Sequence, residues 1–460
     1  MLKSIFALLV LFLIFSSVSH GKEGQAIAIR KASHYHKINQ NNLALFYLFK
    51  HLKKQPEDYQ KYEKVLEKIV NKTGTSPLYH YNINFLSKFP TATISLHIAH
   101  YLFKNKQYQE SLKYLSNIPK KNSFYPEAML LKGSIEYLEG QEGYRNSFDL
   151  CYQEGSRYQK MAGKGPYQRY FVLIKEQCQM NMARALYEQG DFEATNEAFS
   201  LIDKRSYSWP YLLLDQAWSY YKLEDYNRSL GLLMTYHSPL LSSYFFPEAE
   251  VLAALSYYRL CLYYDANAMI HKFYKIYKPQ AAQIKKIIES ASDQYYYALI
   301  SDQLPRTNQY LLKLRSQLKK KLRLNLQIQA IKNIDKEMEA LKGSQNKKDL
   351  YVLQQIQKNL KSQTALFVKE HLYHFINQIN YFSFEMFNIK LEILSHQKDL
   401  LYEDKELIAD RARGTFKGAN ITDQVFFYKF DGQFWADELG DYSFGLKSNC
   451  ETILKEAEEE

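Results

Sequence analysis

Glycine and proline are both scarce in this 460-residue chain, at 17 and 11. A β fold with many tight turns would need more of both, so long helices are the expectation. No Gly-x-Gly-x-x-Gly and no phosphate-cradling loop occurs, which leaves nucleotide binding without support. Gly-x-Ser-x-Gly is absent, and no residues have the mutual spacing of a nucleophile, a base and an orienting group. The chain therefore reads as a non-enzyme without a cofactor. Close-spaced Cys-x-x-Cys is also missing. His371 and His374 lie three apart beside Glu370, and His34 is near His36, but neither set supplies four zinc ligands. Packed histidines are the favoured reading, and no metal is expected.

What is present is apolar and aromatic. Hydrophobic residues make up 46% of the chain and aromatic residues 15%, with 40 tyrosines, enough for a sizeable core. The N-terminus begins Met1-Leu2-Lys3 and continues as an apolar run from Ile5 to Phe15. Small residues follow at Ser17, Ser19 and Gly21. That is a secretory pattern, and the run is too short for an ordinary membrane span. An uncleaved anchor is the alternative. No later stretch reaches spanning length, so the expected mature chain is exported, without a transmembrane span, in the periplasm or cell envelope. Net charge is +11. Export argues against nucleic acid as the reason and favours acidic proteins, anionic lipid headgroups or wall polymers, or simply a solvated basic surface. Cys151, Cys178, Cys261 and Cys450 admit three complete pairings. A Cys151–Cys178 bridge would restrain the stretch between them, where Gly155, Gly163, Gly165 and Pro166 suggest an inserted loop over 152–170. Buried free thiols are the other reading.

Self-similarity organises the middle of the chain. Phe124-Tyr125-Pro126-Glu127-Ala128, Ser208-Trp209-Pro210-Tyr211 and Phe245-Phe246-Pro247-Glu248-Ala249 each place proline where a helix would begin, a position that needs no intrahelical N–H bond. A small residue recurs at Ala99, Ala183, Ala217 and Ala254. It is followed by an aromatic at Tyr108, Phe192, Tyr226 and Tyr263. Next comes a small or hydroxyl residue (Ser111, Thr195, Ser229, Ala266), then an apolar one (Leu115, Phe199, Leu233, Ile270). A looser copy fits Ser134, Tyr137, Tyr144, Ser147 and Cys151. Such units are helical hairpins whose small residue allows close approach, and each must stack on a neighbour to bury its apolar face.

This register resembles the tetratricopeptide repeat (TPR). The copy at 177–210 matches best, through Ala183, Leu186, Gly190, Phe192 and Phe199, whereas Glu224 and Cys261 replace the turn glycine. The resemblance implies a binding groove lined by first-helix positions. Mapped onto this chain, those positions hold Leu96, Met180, Leu214 and Val251, then His100, Arg184, Trp218 and Leu255, then Phe103, Tyr187, Tyr221 and Tyr258. The implied protein-binding residues are Phe103, Arg184, Tyr187, Leu214, Trp218, Tyr221, Tyr258 and Arg259. Packing of the same aromatics between helices is the competing explanation.

Beyond 281 the pattern changes. Residues 306–336 carry nine basic residues against one acid, Asp335, with Lys319, Lys320, Lys321 and Arg323 at the centre. Leu311, Leu314, Leu318 and Leu322 form an apolar stripe, and 349–412 contains neither glycine nor proline. A long antiparallel helical hairpin is expected, projecting from the repeats toward an anionic surface or acidic partner. Internal pairing with Glu385, Glu392 and the acids near 404 is the alternative. The tail from Phe426 to Tyr442 mixes aromatics with Asp431, Asp437, Glu438 and Asp441, which would solvate one side of a helix. Repeats, long helices and this tail together resemble the envelope TPR proteins of gliding and predatory bacteria, of the adventurous gliding motility type.

The reading is an all-α chain: signal peptide 1–21, helical cap 22–90, TPR-like hairpin solenoid 91–280, long hairpin 281–412, aromatic and acidic segment 413–460. Its expected function is that of a periplasmic scaffold or adaptor in an envelope assembly, with motility among the implied roles. The alternative is a peptide-binding chaperone or regulator of wall metabolism.

Overall fold

The computed structural model describes residues 27–162, 166–206, 208–301, 309–342, 346–402 and 430–450. The expected signal peptide lies outside them. Helices dominate, and no strand occurs among the described residues. Contacts divide the chain into two compact units, 1–158 with 322–364 and 159–321 with 365–460.

The first unit opens with α1 (27–37), α2 (Asn41–Leu52) and α3 (Tyr59–Thr73). A single turn, α4 (Ile83–Leu86), precedes the hairpin α5 (Ala92–Lys104) and α6 (Tyr108–Ser116), then α7 (Tyr125–Leu138) and α8 (Tyr144–Met161). In the second unit α9 (Pro166–Glu188) pairs with α10 (Phe192–Ser200), α11 (Trp209–Lys222) with α12 (Tyr226–Met234), and α13 (Pro247–Arg259) with α14 (Tyr263–Ser290). Within each unit, every hairpin's second helix packs on the next hairpin's first, as in a TPR-like solenoid.

The repeat register is core chemistry. Ala99, Ala183, Ala217 and Ala254 are fully buried, as are Ser111, Thr195, Ser229 and Ala266. The Ser111 hydroxyl donates to the Ala99 carbonyl at 2.9 Å, tying the two helices of one hairpin where the small side chain lets them meet. The turn residue is left-handed in every copy: Lys106 and Glu224 at φ 60°, Cys261 at 55°, Gly190 at 82°. Position, rather than glycine, sets that conformation, and the non-glycine residues adopt it at a steric cost of roughly 1–2 kcal/mol each.

The loose copy has a turn two residues longer than the others, and its small position shifts by one. Its turn spans 139–143, against 105–107, 189–191, 223–225 and 260–262 elsewhere. Counting back from the end of α7 puts Gly133, not Ser134, at the small position. A Cβ there would lie 2.7 Å from the Phe148 ring. The inserted loop is also shorter than expected, because α8 continues through Gly155 to Met161 and α9 begins at Pro166.

Four further helices follow: α15 (Asp293–Ile300), α16 (Gln309–Lys320), α17 (Leu322–Leu341) and the 56-residue α18 (Lys347–Tyr402). At ~1.5 Å per residue α18 is about 84 Å long. The expected long antiparallel hairpin is present, with Gln357 of α18 donating to Asp335 of α17, but within each unit its helices lie against the repeats instead of projecting. In the first unit, α17 and the start of α18 lie against α1 and α2. Glu337 accepts from the backbone N–H of Asn42 at 3.0 Å and of Leu43 at 3.3 Å, capping the N-terminus of α2, whose own Gln40 provides no side-chain cap. In the second unit, Gln317 of α16 donates to the Phe245 carbonyl at 3.0 Å, and Phe375 of α18 packs on Phe245 at 4.7 Å. Leu311, Leu314 and Leu318 are buried. An apolar stripe of that length is stable only when covered, and here the repeats of the same chain cover it.

The segment 430–450 is not the expected acidic-faced helix. It is an irregular strap on the second-helix side of its unit. Asn227 binds Leu446 through both backbone groups, at 2.9 and 3.1 Å, and its own carbonyl receives Phe444 N–H at 3.0 Å. At Gly231 the strap backbone touches α12, and a Cβ there would overlap the Tyr442 carbonyl. Asp441 pairs with Lys204 at 2.6 Å. A Cys261–Cys450 disulfide closes the far end. Cys151 and Cys178 are also disulfide-bonded, and no cysteine is free.

Candidate functional site

The first-helix positions named from the repeat have two distinct structural roles. Tyr187, Tyr221 and Tyr258 each pack on the aromatic that opens the second helix of their own hairpin: Tyr187 on Phe192 at 5.2 Å, Tyr221 on Tyr226 at 5.4 Å, Tyr258 on Tyr263 at 6.0 Å. In the first unit Phe103 does the same with Tyr108 at 5.7 Å, and Tyr137 with Tyr144 at 5.3 Å. The aromatic row is thus a hinge-side clamp of each hairpin, repeated by the register. Each ring packs on its neighbour in the hairpin and remains half-buried.

The preceding position reaches sideways to the next repeat. Arg184 of α9 pairs with Asp215 of α11 at 2.7 Å, and the Trp218 indole N–H of α11 donates to Glu248 of α13 at 2.8 Å. In the first unit His100 meets Glu127 at 3.1 Å in the same register. Arg259 returns from α13 to the Tyr221 hydroxyl at 3.2 Å. These rungs occupy the groove's charged groups, so Arg184 and Arg259 are structural donors here. Burial raises the carboxyls of Asp215 and Glu248, more than the Arg184 contacts and the Trp218 bond lower them. Tyr187 is raised by burial and by the neighbouring Glu188, Asp215 and Glu248.

Two proposed groove residues do not face open space. Leu214 is 7% exposed and belongs to the core. Tyr258 is covered by α18: its hydroxyl lies 3.2 Å from the His396 ring nitrogen, and burial with the nearby Glu392 pushes its pKa up to about 12. What remains of the surface in the second unit is Tyr187, Trp218 and Tyr221, with Trp218 edge-on to Tyr221 at 5.6 Å. The side chains that cap Tyr258, His396 and Glu392, were not legible because they lie more than 130 residues downstream in a helix with no repeat register.

The basic stretch is engaged rather than bare. Lys319, Lys321 and Arg323 each take part in a contact, and the Arg323 guanidinium stands 5.3 Å above the Tyr79 ring. The Lys320 side chain lies outside the described residues. Of the histidines, His371 Nδ1 is 2.9 Å from the Phe367 carbonyl and its ring packs on Phe367. Burial, helped by the nearby His100 and Arg323, lowers His97 to about 3.

No family model matches the chain, and no curated protein does. Among solved structures, a tetratricopeptide repeat protein from Parabacteroides merdae ATCC 43184 is similar over 55% of this chain and 93% of its own, at 13% identity and a TM-score of 0.30. That likeness is too low to bear on function, and the TPR-like assignment rests on the chain's own hairpin geometry.

Proposed function

We propose that this protein is an exported scaffold or adaptor that holds a partner protein on the first-helix face of its second unit. The observation that carries the reading is the Tyr187, Trp218 and Tyr221 surface. Its rings are held in place by intra-hairpin stacking and inter-repeat bonds, so little side-chain freedom remains to be lost on binding. Rigid, partly exposed aromatics of this kind concentrate binding energy, about 2 kcal/mol or more apiece when buried centrally. The partner would be an extended or helical apolar segment of another envelope protein. Pairing of all four cysteines supports an oxidising compartment, and with the Ile5–Phe15 run it supports export to the envelope. An envelope assembly, motility among its roles, fits the same reading. The basic stretch around Lys319 to Lys321 adds positive charge suited to an acidic partner, and that contribution should fade with salt over ~8–10 Å.

The test is cross-linking in intact cells from a photoreactive residue in place of Tyr187, with identification of what is attached. Trp218→Ala with Tyr221→Ala should abolish that cross-link while far-UV helicity is unchanged. Trp218→Phe alone should retain it. A folded double variant that still captures the same protein refutes the docking face.

A further inference from the structure

The second-unit part of α18 has two faces. One is buried against its unit, through Leu372, Ile379, Met386 and Ile393. The opposite face is also apolar, yet open to solvent. Phe384 is 61% exposed, Tyr381 59%, Phe387 49%, Leu391 48% and Leu394 49%. Positions 366, 370, 373, 377, 381, 384, 387, 391, 394, 398 and 402 follow one another at steps of three and four, which keeps them on one side of the helix along its whole length. Soluble surfaces rarely carry an apolar stripe of this extent without a partner.

The centre and the outer ends of the stripe mirror each other about Phe384. Reflected through that residue, Leu366 falls on Tyr402, Tyr381 on Phe387, and Asn377 on Leu391. The exposed Glu370 falls on the exposed Lys398. A second copy of the helix laid antiparallel, with its two-fold axis at Phe384, would therefore meet apolar with apolar at the centre and at the outer ends of the seam, and an acid with a base just inside each end. A parallel copy would stack Glu370 on Glu370 and Lys398 on Lys398, which is repulsive. Asn377 opposite Leu391, Tyr373 opposite Ser395 and Leu394 opposite His374 are the mismatches. With the apolar side chains about half exposed, the stripe offers on the order of 700 Å² per copy, so that pairing would bury roughly 1,400 Å², the size of a specific interface.

We infer that the chain self-associates as an antiparallel two-fold dimer through the 366–402 face of α18. This surface is separate from the proposed docking face, and a scaffold so built would present that face twice.

The full chain, purified with its disulfides intact, should show twice the mass of one copy by light scattering coupled to size exclusion. Phe384→Glu with Leu391→Glu should convert it to one copy with far-UV helicity unchanged, because both side chains point to solvent. All native cysteines are bonded, so an engineered thiol stands alone. Under mild oxidation Phe384→Cys should link to itself. Glu370→Cys alone should not, because two such residues would lie roughly 42 Å apart in the antiparallel pair. Glu370→Cys mixed with Lys398→Cys should link. A single-copy wild type at every concentration tested overturns the inference, as does a dimer that survives the glutamate pair. Self-linking of Glu370→Cys shows a parallel or different contact and also overturns it. A monomeric wild type whose melting temperature falls in the glutamate pair places a segment of the same chain over the face and overturns it too.

Discussion

Asp349, at the start of α18, is a heavily bonded carboxylate of the first unit. It accepts from Lys31 at 2.8 Å, from the Tyr35 hydroxyl at 2.5 Å and from the Tyr47 hydroxyl. Its side chain is 1% exposed, and Tyr35 and Tyr47 are 3% and 4% exposed. Asp349→Ala removes one partner of a buried network and leaves two buried hydroxyls and an ammonium without it. Three hydrogen bonds to a charged group would sum to roughly 5–9 kcal/mol at about 1.5–3 each. Lys31 is 35% exposed and regains water, so the lower cost of breaking a buried pair applies, about 3–5 kcal/mol. A chain of two units need not melt in one step, so the measurement is local. Amide exchange of residues 27–52 and 346–364 should accelerate roughly a hundredfold to several thousandfold, while residues 209–259 keep their protection. Burial raises the Asp349 carboxyl, but the bonds from Lys31, Tyr35 and Tyr47 together outweigh it and hold the group below its usual range. The folded value is thus depressed. The stabilisation is present above the unfolded carboxylate pKa, near 4, and is lost as pH falls through the folded value. The difference between wild type and variant should shrink accordingly in acid. Tyr35→Phe, Tyr47→Phe and Asp349→Leu together should recover most of the protection, since no buried polar group is then stranded. Unchanged exchange in Asp349→Ala, or a triple variant worse than the single, would refute the reasoning.

Gly231→Ala should lift the strap from α12, because its methyl would meet the Tyr442 carbonyl; trypsin cleavage at the exposed Lys447 should accelerate, and an unchanged rate contradicts the contact. Glu248→Gln keeps an acceptor for the Trp218 indole but removes a carboxylate whose pKa burial raises. A raised acid stabilises the fold below its unfolded pKa and loses that contribution as pH rises through the folded one. The variant should therefore melt higher than wild type at pH 7 and equally at pH 4, and a gain of equal size at both would exclude this origin. Glu224→Gly relieves a left-handed residue at φ 60° but adds backbone freedom to the unfolded chain, for a net gain of up to ~1 kcal/mol, whereas Gly190→Ala at the equivalent turn should cost about 1 kcal/mol; thermal melts that reverse these signs would refute the turn assignment.

Local chemistry was legible wherever neighbouring residues decide it. The repeat register, the helix starts at Pro210 and Pro247 and the positions of the buried alanines follow from which side chains lie three, four and nine apart, and a hairpin carries that information within some 35 residues. The same periodicity placed an aromatic row on the first helices, where the rings of Tyr187 and Tyr221 are half-buried. Contacts between segments far apart in sequence were decided only by the tertiary structure. A stripe of leucines in 311–341 states that the helix must bury one face but not against what, so a projecting arm and an arm folded onto the repeats look alike until Phe245, Glu337 and Asp349 are seen in place. The aromatic tail has no helical period, and its course depends on Gly231 and Asn227, more than two hundred residues upstream. Four cysteines allow three pairings, and only the approach of the strap to the turn after α13 selects Cys261 for Cys450. Tyr258 was assigned to a groove by its register; a helix more than 130 residues later covers it, because burial depends on what else the chain brings to the same place.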